Sequence, residues 1–174
     1  MNPNENLMRK IRIEKITVNM GVGEAGDALE RAQTIMEKIT GAKAVQTKAK
    51  IRLPTWEIRP GLPIGVKVTL RKQKALEFLK RALSARDNEL NSRVFDNRGN
   101  FGFGVKEYID LPGVKYDPKL GVRGFDVLVT LERPGYRIKR RKLKPAGIGK
   151  KHAIAKQDAM DFLSGQFGVK FEEK

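Results

Sequence analysis

The chain has no cysteine, one histidine and one tryptophan in 174 residues. Without thiols, disulfides, thiolate metal sites and cysteine nucleophiles are excluded. The lone histidine, His152, has no carboxylate or hydroxyl beside it in its basic stretch, so a histidine-based triad has nothing to be built from. Acidic residues are scattered: pairs such as Asp158/Asp161 and Glu172/Glu173 read as solvated faces, and none shows metal-ligand spacing. No apolar stretch approaches the ~20 residues that span a bilayer. The opening MNPNENLMRK lacks the apolar run of a secretory signal. These absences predict a soluble, cytosolic, non-enzymatic protein with no cofactor, metal or membrane partner.

Negative charge is also scarce. Twenty acidic residues face 36 Lys+Arg, a formal net charge of +16, and the pI is near 10.2. That imbalance exceeds what solubility needs and points to a polyanion, nucleic acid before an acidic membrane surface. His152 is then expected to be exposed or to face RNA. The length suits a single domain, 1–174, with room for a proper core.

Ile11–Met20 alternates, with Ile16, Val18 and Met20 on one side and Lys15, Thr17 and Asn19 on the other. Ile11 and Ile13 have the opposite parity, which predicts a bulge near Glu14. Leu29, Ala32, Met36 and Ile39 recur at helical spacing over 27–39, with Asp27 as N-cap and Gly41 closing the helix. Ala44–Lys50 reads as a short strand with Gln46, Lys48 and Lys50 sharing a face. Pro54, Pro60 and Pro63 then impose a long basic loop. In it Trp56 either anchors the loop on the core or stacks on a base or ribose.

Ile64–Arg71 is the clearest strand, with Val66, Val68 and Leu70 opposite Lys67, Thr69 and Arg71. Residues 73–85 form an amphipathic helix through Leu76, Leu79, Ala82 and Leu83. RGNFGFG (98–104) reads as a loop, with one of Phe101 and Phe103 in the core, before a strand at 105–109. Phe125–Glu132 is a strand with alternate residues inward. A basic segment, 133–151, packs Arg137, Lys139, Arg140, Arg141, Lys142 and Lys144 into eight positions and suits docking along phosphates. A short helix near 153–164 follows, burying Ala155, Ala159, Phe162 and Leu163. The expected fold is α+β: a mostly antiparallel sheet, helices packed on one face, and a polar cationic face for RNA.

Gly21-Val-Gly23-Glu-Ala-Gly26 is a literal G-x-G-x-x-G between a strand and a helix. A dinucleotide site also needs pyrophosphate room at the helix start, an acid on the following strand and a parallel βαβ crossover. Here Glu24 and Asp27 occupy the phosphate position, and Gln46, Thr47 and Lys48 stand where the acid belongs. NAD(P) is therefore not expected. The glycines read as a sharp turn whose bare backbone and N–H groups lie open to a large polyanion.

The segments KITVNMGVGE (15–24), TKAKIR (47–52), RPGLPIGVKVTLR (59–71), NRGNFGFGVKEY (97–108) and GFDVLVTL (124–131) resemble the large-subunit ribosomal protein family that binds 5S rRNA, the universal family numbered five. The loop around TWEIRPGL and the basic stretch after Pro134 resemble its archaeal and eukaryotic branch. The resemblance implies a non-enzymatic constituent of the large ribosomal subunit, held in the central protuberance among neighbouring proteins. It implies contacts with 5S rRNA and large-subunit rRNA, a loop reaching the P-site tRNA, and an intersubunit bridge to a small-subunit head protein.

Carried onto this chain, Asn19, Gly21, Val22, Gly23, Gln46, Lys48, Lys67, Thr69 and Arg71 are the rRNA candidates, with Arg98, Asn100, Arg140 and Arg141 beside them. Lys50, Arg52, Trp56 and Arg59 match the tRNA-reaching loop. The rival readings are a nucleotide-dependent enzyme on the glycine motif and a free-standing RNA chaperone.

Overall fold

The computed structural model describes residues 6–172. The two ends of the expected unit, with Glu173, lie outside them. The elements are β1 (Arg12–Gly21), α1 (Asp27–Thr40), β2 (Val45–Lys48), β3 (Pro63–Leu70), α2 (Lys72–Ser84), β4 (Glu89–Asn91), β5 (Phe101–Val105), β6 (Phe125–Glu132), α3 (Lys156–Phe167) and β7 (Lys170–Glu172). Five strands form an antiparallel sheet in the order β2-β3-β1-β6-β5, and β4 and β7 form a parallel ribbon. The α+β expectation is met.

Because β1 and β2 both run antiparallel to β3, the β1–α1–β2 unit straddles β3. By the same reasoning β3–α2–β6 straddles β1. Two interlocked split βαβ units put both helices on one side. α1 lies across β3 and α2 across β1.

Cross-strand partners explain the core. Ile16 pairs with Leu70 and Val129, and Val18 with Val68 and Val127. All six are buried, as are Leu29, Ile35, Met36 and Ile39 of α1 and Phe78, Leu79 and Leu83 of α2. Each fully buried side chain of this size contributes about 1.5–3 kcal/mol. The register of β1 shifts between Ile13 and Lys15, so the bulge falls at Glu14 as the parity change required.

Several boundaries differ from expectation. The N-cap of α1 is Gly26, and Asp27 is the first helical residue; Gly41 does close the helix, at φ 61°. The strand expected at 105–109 lies at 101–105, and both Phe101 and Phe103 are buried. They share one parity, so Gly102 and Gly104 fall on the other face of the same strand. α3 starts three residues later than expected, and Ala155 is exposed while Ala159 and Leu163 are fully buried.

Candidate nucleic-acid interface

Since Ile16, Val18, Val66 and Val68 point to the helices, the alternate residues of each strand line the other face. From β3 these are Gly65, Lys67 and Thr69, and from β1 Lys15, Thr17, Asn19 and Gly21. From β6 they are Asp126, Leu128 and Thr130, opposite Gly104 and Gly102 of β5. Lys67, Thr69, Asp126, Leu128 and Gly104 are exposed. This face therefore mixes ammonium, hydroxyl and amide groups with the Asp126 carboxylate and the Leu128 side chain, and its backbone is open at Gly104.

Gln46 is not on that face. It stands opposite Val66 in the core-facing row, and its amide donates to Gln33 of α1 at 3.2 Å. Lys48 is exposed on the edge strand opposite Pro63, beyond a second register shift. Arg71 lies past the end of β3. Its guanidinium donates to the Glu14 carbonyl at 3.5 Å, at the sheet's end rather than its centre.

The glycine turn is structural in its donors. Val22 N–H and Gly23 N–H both donate to the Ile64 carbonyl, at 3.0 and 2.9 Å, so they are spent on the adjoining strand rather than held out for phosphates. Gly23 (φ 84°) and Gly26 (φ 100°) need the freedom of glycine. Glu24, Asp27 and Glu30 crowd the start of α1. β1 has antiparallel neighbours on both sides. Anion capture and a dinucleotide crossover are both excluded there.

The expected proline loop is a hairpin arm. Ala49 N–H donates to Leu62 O, and Leu53 and Ile58 exchange both backbone hydrogen bonds around a tight turn at Pro54–Trp56. Ile58, 8% exposed, anchors the arm. Trp56 is 70% exposed, so it does not. Ile51 and Leu53 are also exposed on the arm, interleaved with exposed Lys50, Arg52 and Arg59. Cations alternating with unburied apolar groups suit a partner offering both phosphates and unpaired bases.

A model of the C-terminal region of the ribosomal protein L5 family matches residues 63–168, and one of ribosomal protein L5 matches residues 6–59. The chain belongs to the ribosomal protein L5 family. A large ribosomal subunit protein uL5 of Nanoarchaeum equitans is 51% identical over 166 residues, covering 95% of this chain and 98% of its own. Similar proteins of Methanococcus aeolicus (50%, covering 96% and 94%) and Nitrosopumilus maritimus (48%, covering 95% and 95%) carry the same description. This L5-family chain is thus a structural, non-enzymatic constituent of the large ribosomal subunit, where it partners with rRNA in the ribosome of the cytoplasm. Among the described residues no helix is long and apolar enough to cross a membrane. The two family models divide within the hairpin arm, yet β2 and β3 pair across that division.

In this family member the remaining expected RNA residues are held in different ways. Arg98 is exposed. The Asn100 amide is committed within the fold: it donates to Asp96 at 2.9 Å, and its oxygen accepts from Leu131 N–H at 3.3 Å. Arg140 pairs with Glu14 and, at 2.7 Å, with Glu132. Arg141 is exposed and donates to the Lys144 carbonyl at 2.7 Å.

His152 is a fold residue, not an exposed one: its Nε2 lies 2.9 Å from the Pro134 carbonyl, and it is half-buried. Asp158 is partly exposed but is also committed within the fold. It accepts from Ala155 N–H at 3.1 Å, capping α3, and from buried Arg133 at 3.0 Å. Arg133 escaped sequence reading because its partners lie 19 to 25 residues away.

Proposed function

We propose that this L5-family protein binds 5S rRNA and adjacent large-subunit rRNA in the central protuberance through the open face of its sheet. The exposed hairpin arm reaches toward the P-site tRNA. A further surface joins a small-subunit head protein across the subunit interface, beside neighbouring protuberance proteins. The observation that carries the reading is the composition of the open face. Lys15, Thr17, Asn19, Lys67 and Thr69 lie on adjacent strands, with the backbone open at Gly104 on the outermost strand. RNA is recognised by shape, phosphates and 2′-hydroxyls, which ammonium, hydroxyl and amide groups on an open sheet face can contact.

Filter binding at fixed salt tests this, comparing 5S rRNA with an unrelated RNA of equal length. The chain should prefer 5S rRNA, and equal affinity for both would overturn the specific reading. Gly104→Val offers a second arm. A Cβ at Gly104 meets only the Asp126 carboxylate, at 3.5 Å, so the strand tolerates it. The branched side chain nonetheless projects into the open face. Affinity for 5S rRNA should fall about tenfold, near 1.4 kcal/mol, with the melting curve unchanged. Full affinity would remove the open face from the interface.

A further inference from the structure

At the bulged end of the sheet, charges alternate along a continuous chain. Arg12 contacts Glu132 at 2.8 Å, Glu132 contacts Arg140 at 2.7 Å, Arg140 contacts Glu14, and Glu14 lies 3.7 Å from Arg71. The carboxylates are the buried members: the side chains of Glu14 and Glu132 are 11% and 12% exposed, against 47–61% for the three arginines. Lys72 and Arg137 line the same cleft, whose volume is about 630 Å³. Five cations and two carboxylates leave it at a net +3.

Two features separate this arrangement from an ordinary surface pair. First, each carboxylate is shared by two arginines, and none of the three arginines engages more than two of its nitrogens in the chain, so each keeps free N–H donors. Second, Glu14 is the extra residue of the β1 bulge, the position where a strand re-aims a side chain. The carboxylates are thus the covered partners, and the arginine side chains are the solvent-accessible ones.

We infer that this cleft is a phosphate-docking site for the rRNA backbone, in which Glu14 and Glu132 are positioning residues that hold Arg12, Arg71 and Arg140 ready. It rests on the reading of the chain as an rRNA-binding protein and adds a second contact to the open face. Arginine forks fixed from behind lose little freedom when they bind phosphate, whereas loose ones must be ordered at that moment. Arg140 thereby also fastens the basic segment to the sheet, which gives that segment a fixed starting point along the RNA.

Charge alone and preorganisation predict opposite results. Glu14→Gln with Glu132→Gln raises the net charge by two, so nonspecific attraction should tighten binding. A preorganised site should instead bind 5S rRNA about fivefold to tenfold more weakly, because several arginine side chains become free to rotate. Circular dichroism is the check that the variant is folded. An independent arm uses Arg12→Gln with Arg71→Gln, both at exposed positions. The slope of log affinity against log salt should fall by about two, one per lost phosphate contact. Unchanged slope together with equal or tighter binding of the glutamine variant would reduce the cluster to an internal latch. Failure of the unaltered chain to bind 5S rRNA would instead strike the proposed function.

Discussion

Arg133 follows directly after β6, and its guanidinium ties that strand to the start of α3. It donates to His152 O at 3.4 Å, to Ala153 O at 3.2 Å and to the Asp158 carboxylate at 3.0 Å. Arg133→Met keeps an apolar stem in the buried site and removes the head. His152 O retains the Tyr136 hydroxyl as donor, at 3.3 Å, so the orphaned carbonyl is that of Ala153. Ala153 is exposed and its carbonyl can turn to water, so the loss is that of the charge-assisted hydrogen bond itself, about 1–2 kcal/mol. Asp158 has a side chain 42% exposed and re-solvates, so its pair is discounted for screening to about 1 kcal/mol.

The sum is about 2–3 kcal/mol. For a chain of this length each kcal/mol moves the melting temperature by about 2–4 °C, so Arg133→Met should lower it by roughly 4–12 °C. Asp158→Asn keeps an oxygen able to accept from Ala155 N–H and should lose only about 1 kcal/mol. Differential scanning calorimetry of both variants and their double reads the coupling directly. A loss below about 2 °C for Arg133→Met would refute the idea that this guanidinium holds α3 to the sheet. So would an equal loss from Asp158→Asn, since the carbonyl bonds would then carry nothing.

Gly99 has φ +72°, and a Cβ there would lie 2.6 Å from Ile154 Cγ2 and 3.3 Å from the Ala155 carbonyl. Gly99→Ala should therefore destabilise by about 1–3 kcal/mol in urea unfolding, and a neutral result would contradict the packing of that turn. The Lys38 ammonium, 2.9 Å from Asp117, holds that carboxyl below the usual aspartate value, with the Lys119 N–H adding to the effect. A depressed value means the pair's contribution is present above the unfolded-state pKa and is lost as pH falls through the folded one. Carbon-13 titration of Asp117 should show its midpoint rise in Lys38→Met; an unmoved midpoint would rule the pair out. Trp56 should emit as a solvent-exposed indole, and Trp56→Ala should leave stability within about 0.5 kcal/mol. Blue-shifted emission would restore the anchoring role to Trp56.

The sheet was legible where one face is buried over many residues. β1, β3 and β6 run eight to ten residues, long enough for period-two patterning to fix both register and the bulge at Glu14. β4 and β7 were not legible: three residues each, paired in parallel across about eighty positions, give no period to read. β5 failed for another reason. Glycine is depleted in strands, so RGNFGFG reads as loop chemistry, whereas Gly102 makes room for the Leu128 side chain and Gly104 leaves the strand open.

The candidate site divides along the same line. Residues whose role follows from strand parity, such as Lys67, Thr69 and Asn19, stand where alternation puts them. Residues whose role depends on a distant partner do not: Arg140 meets Glu14 from 126 positions away, and Asn100 meets Leu131 from 31. A local pattern cannot distinguish a free cation from one already paired. The glycine motif shows the same limit from the other direction. Its spacing is compatible with a phosphate loop, but Val22 and Gly23 give their N–H groups to Ile64 on the neighbouring strand. Topology, which the motif does not encode, decides whether a glycine turn faces a ligand or a strand. Here it closes the end of the sheet's central strand, and its donors are used within the sheet.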